Sequence, residues 1–151
     1  MMILNTAFDD FVVGEVIGLM AESEWHCRYS PEDIDRLITP AVYYDRARCY
    51  FDAETEDLVG FITWTFLRPE AEKGYIEGTR LLQSEDWTTS PSDGNLWIID
   101  MVAPFGGVRE MARTTKQWFD LHYKGHCRQA FFKRVLKNNR IGRIASSVTV
   151  H

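Results

Sequence analysis

Ten consecutive residues, Leu58-Val-Gly-Phe-Ile-Thr-Trp-Thr-Phe-Leu67, carry no charge and are apolar or aromatic at all but a few positions. A strand with one wet face alternates apolar and polar side chains; this one does not, so it predicts a central strand covered on both faces. It is about half the length needed to cross a bilayer as a helix. The acidic stretch Asp52 to Asp57 precedes it, and Arg48-Cys49-Tyr50-Phe51 comes before that, which together read as a hairpin. A second apolar run, Leu96-Trp97-Ile98-Ile99-Asp100-Met101-Val102, ends at Ala103-Pro104-Phe105-Gly106-Gly107. Val108, Met111, Ala112, Thr115, Trp118 and Phe119 then recur at helical spacing for about four turns. Cys127 to Val135 predicts a further strand and Leu136 to Arg143 a basic, turn-like tail.

Two helices are expected before the hairpin. Thr6 to Asp9 reads as a capping box, followed by Phe8, Phe11, Val12, Val16, Leu19 and Met20 at helical spacing. Ser30-Pro31-Glu32-Asp33 is a second start, with a cap, a proline at the first helical position and acids in the first turn; Pro40 is expected to stop that helix. Residues 68–95 are ambiguous, and Glu22 to Arg28 reads as a polar loop. The order, two helices, a hairpin, then strand, helix, strand, predicts a mixed α/β fold with a crossover near Gly106.

At 151 residues, 45% hydrophobic and 26% charged, the chain is expected to form one domain over residues 1–151 with enough core to fold without disulfides. Its three cysteines form no CxxC and leave one unpaired, which points to a reducing, cytoplasmic setting. The first residues lack the basic start of a signal peptide. The overall charge of −5 hides an asymmetry: residues 1–108 carry a net −13 and residues 109–151 a net +8. The basic part either faces an acidic partner or pairs with the acidic part inside the fold.

Three places could carry chemistry. Asp100 lies in an apolar strand, where a carboxylate is costly to bury unless it is hydrogen-bonded or functional. His26, in Ser23-x-x-His26, is either a general base or a surface histidine. The Phe105-Gly106-Gly107 turn opens a helix whose first N–H groups could receive an anion or a polarised carbonyl. Cys27 is a weak nucleophile candidate because no partner motif supports it. His122-x3-His126-Cys127 has a helical spacing used for zinc, but no carboxylate or second cysteine stands at a supporting interval, so no metal is expected.

The order of these residues resembles the RTX toxin-activating lysine acyltransferases, bacterial enzymes that move a fatty acyl chain from acyl carrier protein to lysines of a protoxin. The likeness rests on Glu85-Asp86-Trp87-Thr88 followed by Leu96 to Gly106, on Ser23-x-x-His26, on Val59 to Trp64, and on Phe132-Lys133-Arg134-Val135 with Gly142-Arg143-Ile144. It spans roughly residues 10–145. The resemblance implies a GNAT-like fold, a mixed central sheet flanked by helices that opens for an acyl-pantetheine arm. It carries catalysis onto His26 and Asp100 with Ser23 in support, and places Phe105, Gly106 and Gly107 at the acyl-pantetheine or oxyanion. The donor is then acyl carrier protein, with no bound cofactor, and it would dock on Arg128, Lys133, Arg134, Lys137 and Arg140. The acceptor is a lysine-bearing target protein such as an RTX protoxin, reached directly or through an acyl-His26 intermediate; a homodimer fits the same resemblance. The other reading keeps the fold and drops the chemistry: a catalytically silent subunit of a larger assembly, for example a phage particle, that binds an acidic partner or nucleic acid.

Overall fold

The apolar run at 58–67 forms the middle of a mixed sheet. The computed structural model describes residues 2–5, 10–123, 125, 129–133 and 146–149. Six strands, β1 (Met2–Asn5), β2 (Ala47–Asp52), β3 (Leu58–Leu67), β4 (Asn95–Val102), β5 (Gln129–Phe132) and β6 (Ser146–Thr149), lie in that order across the sheet. Neighbours are antiparallel except β4 and β5, which are parallel. That one parallel pair requires a crossover, and α5 (Val108–His122) supplies it. The arrangement is compatible with a GNAT-like fold.

Each face of the sheet has its own core. Ala47, Cys49, Phe61, Leu67, Trp97 and Val102 pack on one face beneath α1 (Asp10–Met20), α2 (Pro31–Leu37), α3 (Thr39–Tyr43) and α4 (Pro69–Glu77). Tyr50, Ile62, Trp64, Phe66, Leu96 and Ile98 pack on the other beneath Met111 and Phe119 of α5. Burial on both sides is why β3 shows no alternation in its sequence. Trp64, Trp87 and Trp97 are fully buried, and truncating any one of them costs about 3–5 kcal/mol.

The elements follow local rules. Ser30 and Asp33 form the expected capping box of α2. Pro40 does not stop that helix, which already ends at Leu37; it stands in the first turn of α3, where its missing N–H is harmless. The ambiguous stretch contains α4, begun by Pro69 and closed by left-handed Gly78, and a 3-10 turn at Ser84–Trp87. β1 and β6, each of four residues, are additions to the expected elements. The Thr6–Asp9 capping box and the basic tail at 136–143 lie outside the described residues.

Two irregularities shape β4. Where β3 and β4 pair, Thr63 faces Asp100 and Trp64 faces Ile98, so Ile99 is an extra residue. This bulge breaks the alternation of β4. Without it Asp100 would share a face with Ile98; with it, Asp100 turns to the side of α1 and α2. Along the other edge of β4, β5 pairs with Leu96, Trp97 and Ile98 only.

Candidate active site

The segment joining α1 to α2 sets two of the key side chains. Leu19 and Met20 anchor the end of α1 in the core. Ser23 N–H then donates to the Met20 carbonyl, and Cys27 N–H donates to that of Ser23. His26–Arg28 form one 3-10 turn, Tyr29 leaves it in an extended conformation, and Ser30 caps α2. At about three residues per 3-10 turn, Ser23, His26 and Tyr29 fall on one side of this path.

That side faces Asp100. Ser23 Oγ lies 2.8 Å from His26 Nδ1 and also accepts the His26 backbone N–H at 3.3 Å. His26 Nε2 is 3.2 Å from Asp100 Oδ1. The Tyr29 hydroxyl donates to the same Asp100 oxygen, and its ring lies 5.4 Å from the imidazole, tilted by 57°. The Asp100 backbone N–H donates to Thr63 Oγ1 at 3.0 Å across the bulge. Asp100 Oδ2 accepts no hydrogen bond among the described residues. Both acidic and imidazole groups are buried, Asp100 4% and His26 8% exposed. His26 is therefore neither a surface residue nor part of an irregular loop.

The site opens into a cavity of about 1360 Å³, more than the usual few hundred to about 1,000 Å³ of a small-molecule pocket. Its walls come from both faces of the sheet. Ser23, His26, Tyr29, Asp100 and Tyr75 line one part, and Met101, Ala112, Phe119 and Phe132 line the other. The cavity thus runs past β4 beyond the point where β5 stops pairing with it. Burial and the Asp100 charge both push the Tyr29 and Tyr75 hydroxyls above their ordinary titration range, so both stay protonated. An acceptor-only carboxylate against Nε2 leaves the imidazole proton on that nitrogen and makes Nδ1, beside the Ser23 hydroxyl, the basic one.

The remaining expected site residues divide. Phe105, 65% exposed, Gly106 and Gly107 are not among the lining residues, whereas their neighbours Ala103, Pro104 and Val108 are; Gly106 and Gly107 hold φ values of 93° and 85° that let the chain turn into α5. Lys133 lies half-buried in the cavity wall. Its ammonium sits 3.7 Å above the Tyr75 ring and donates to the Tyr75 carbonyl, and burial lowers its pKa. Arg128, Arg134, Lys137 and Arg140 lie outside the described residues.

The Glu-Asp-Trp-Thr block is a brace rather than part of the cavity wall. Asp86 binds Arg80 at 2.7 Å and caps its own turn through Gln83 N–H. Trp87 Nε1 donates to the Arg36 carbonyl in α2, and Thr89 Oγ1 to the Phe66 carbonyl in β3. Arg36 and Arg80, held this way, line the cavity. Tyr29 and Thr63 were not singled out from sequence. The repeated spacing of three in Ser23-x-x-His26-x-x-Tyr29 is the signal that points to Tyr29; Thr63 had none.

Comparison with known proteins is a separate observation. The model of the RTX toxin acyltransferase family matches residues 6–145. The RTX-II toxin-activating lysine-acyltransferase ApxIIC of Actinobacillus pleuropneumoniae is 28% identical over 78% of this chain and 69% of its own. The lysine-acyltransferase RtxC of Vibrio cholerae is 27% identical over 76% of this chain and 72% of its own. An uncharacterized protein of Synechocystis is 27% identical over 70% of this chain and 69% of its own.

Proposed function

From the premise that the chain belongs to the RTX toxin acyltransferase family, we propose that it transfers a fatty acyl chain from acyl carrier protein to a lysine of a target protein. The observation that carries this reading is His26, held between Ser23 and buried Asp100 on the wall of a cavity lined from both faces of the sheet. A space of about 1360 Å³ has room for a thioester at the end of a long arm. The arm enters beside Ala103, Pro104 and Val108, and its carbonyl lies near the N–H groups that open α5.

A lysine side chain is mostly an ammonium at neutral pH and must lose a proton before it can attack. One proton passes to solvent to give the free amine, and as that nitrogen attacks, His26 Nδ1 takes a second proton from it, directly or through the Ser23 hydroxyl at 2.8 Å. The amine nitrogen bonds to the thioester carbonyl carbon, the carbon–sulfur bond breaks, and the imidazolium returns a proton to the departing thiolate. Asp100 steadies the charged imidazole in between. No metal or nucleotide takes part in these steps.

Intact-mass measurement tests the reading. The protein is incubated with acylated carrier protein and a lysine-bearing partner encoded nearby. Addition of one acyl chain to the partner is expected. No transfer from acyl carriers of any chain length would exclude the enzyme and leave a role as a subunit of an assembly.

A further inference from the structure

We propose that Tyr29 is a positioning residue for this transfer: by donating its hydroxyl to the Asp100 oxygen that faces His26, it limits how tightly the carboxylate holds the imidazole proton. The inference rests on the reading above for its activity arm only. A carboxylate has about four lone-pair sites spread over two oxygens. Here both donors, the Tyr29 hydroxyl and His26 Nε2, meet Oδ1, while Oδ2 accepts nothing among the described residues. The two donors therefore share one oxygen. With the hydroxyl removed, the charge on Oδ1 serves the imidazole alone, and the protonated form of His26 gains.

The hydroxyl is not free to leave. Tyr29 follows directly on the 3-10 turn, its neighbour Ser30 is fixed as the α2 cap, and its ring packs against the core and the imidazole. Its proton stays in place because burial and the adjacent carboxylate both disfavour the phenolate. Other charged or titratable groups line the same cavity from neighbouring elements. Glu22, Glu24 and Arg28 come from the α1–α2 connection, Asp33 and Arg36 from α2, Tyr75 and Arg80 from α4 and beyond it, and Lys133 from the end of β5. Asp33 pairs with Arg36, Arg80 with Glu85 and Asp86, and Lys133 donates to Tyr75. Among the described residues, the donors to Asp100 Oδ1 are Tyr29 and His26.

Tyr29→Phe in the full chain keeps the ring and deletes the donor. Nitrogen-15 NMR of the imidazoles, following His26 from pH 5 to 9, should show its titration midpoint moving up by about half to one pH unit. Transfer at pH 6.5 should fall about three- to ten-fold and recover toward the parental rate near pH 8.5. An unmoved or lowered midpoint, or a loss of rate equal at every pH, overturns the proposal, since a purely structural role gives the latter. If Tyr29→Phe does not fold, 3,5-difluorotyrosine at position 29 preserves the shape with a stronger donor and should move the midpoint down; a midpoint that stays or rises overturns the proposal. A parent protein that transfers no acyl chain sinks the proposed function, and the imidazole titration still decides the coupling of Tyr29 to His26.

Discussion

A buried carboxylate with a single polar side facing a histidine and a tyrosine lets residue substitutions be sorted by what each leaves behind. His26→Ala removes the base, and transfer should fall at least about 100-fold. Because His26 is buried and bonded to both Ser23 and Asp100, the same change leaves Asp100 without its imidazole partner, and a stability loss of about 1–3 kcal/mol should accompany it. Asp100→Asn keeps an acceptor for Tyr29 and His26 but removes the charge, so turnover should drop far more than melting temperature; equal losses in both would make Asp100 a structural residue. The cysteines separate in the same manner. Cys49 is buried, and that burial pushes its thiol up to about 12, whereas Cys27 is exposed with its Sγ near the Glu24 carbonyl. At pH 8 without denaturant, iodoacetamide should label Cys27 and spare Cys49, as read by peptide mass. Cys27→Ser should leave transfer unchanged; a dead Cys27→Ser protein would point to thiol chemistry instead of the histidine.

At the scale of elements, the site depends on how β4 begins and where it bulges. Gly94 precedes the strand so closely against β3 that any Cβ there would overlap the Leu67 carbonyl. Gly94→Ala should therefore displace the start of β4, with a loss above about 2 kcal/mol seen in denaturant unfolding. Thr63→Val, nearly the same shape, removes the acceptor of the Asp100 N–H and should cost about 1 kcal/mol together with part of the activity. The cap of α2, which fixes the exit of Tyr29, titrates. The Ser30 backbone N–H, the hydroxyl of the same residue and Arg36 hold the Asp33 carboxyl below its ordinary 3.8. A depressed folded-state pKa means that the cap's contribution is present at neutral pH and fades as pH falls below that value. Asp33→Asn should thus destabilise at pH 7 and lose its effect toward pH 3, measured by melting at each pH. The strands and helices were readable because their signals are local: unbroken apolar runs, a Ser-Pro-x-Asp cap and helical spacing after Gly107. Ser23, His26 and Asp100 were legible as candidates, and the structure brings them together. The bulge at Ile99 was not legible, because one extra residue in a strand is set by its partner's register and leaves no pattern of its own. Tyr29 shares the spacing of three that links Ser23 to His26, but its role exists only once a turn and a strand some seventy residues apart have met.

Across the whole molecule, the sequence divides into an acidic part up to residue 108 and a basic part after it. Among the described residues, ion pairs join Asp33 with Arg36, Asp45 with Arg48, Asp93 with Arg68, Arg80 with Glu85 and Asp86, and Lys116 with Asp120, each within one part. Arg109 and Arg113 are both exposed on α5, one turn apart, so they share a face of the helix. In the chain they follow shortly after Pro104 and Val108, which line the cavity, and exposed Phe105. A carrier that threads its arm past Pro104 must rest its body near this end of α5. If that carrier is acidic, reversing both arginines should slow its association about ten-fold at low salt and change dissociation much less, because exposed charge acts mainly on encounter. The deficit should shrink as salt rises toward 0.5 M, where screening falls below about 5 Å. Melting temperature should stay within a degree or two, since neither side chain packs in the core. Stopped-flow binding at several salt concentrations measures all of this. Unchanged association in the Arg109→Glu, Arg113→Glu protein would place the docking face elsewhere on the basic part, while an absence of carrier binding by the parent would remove an acidic carrier as the donor.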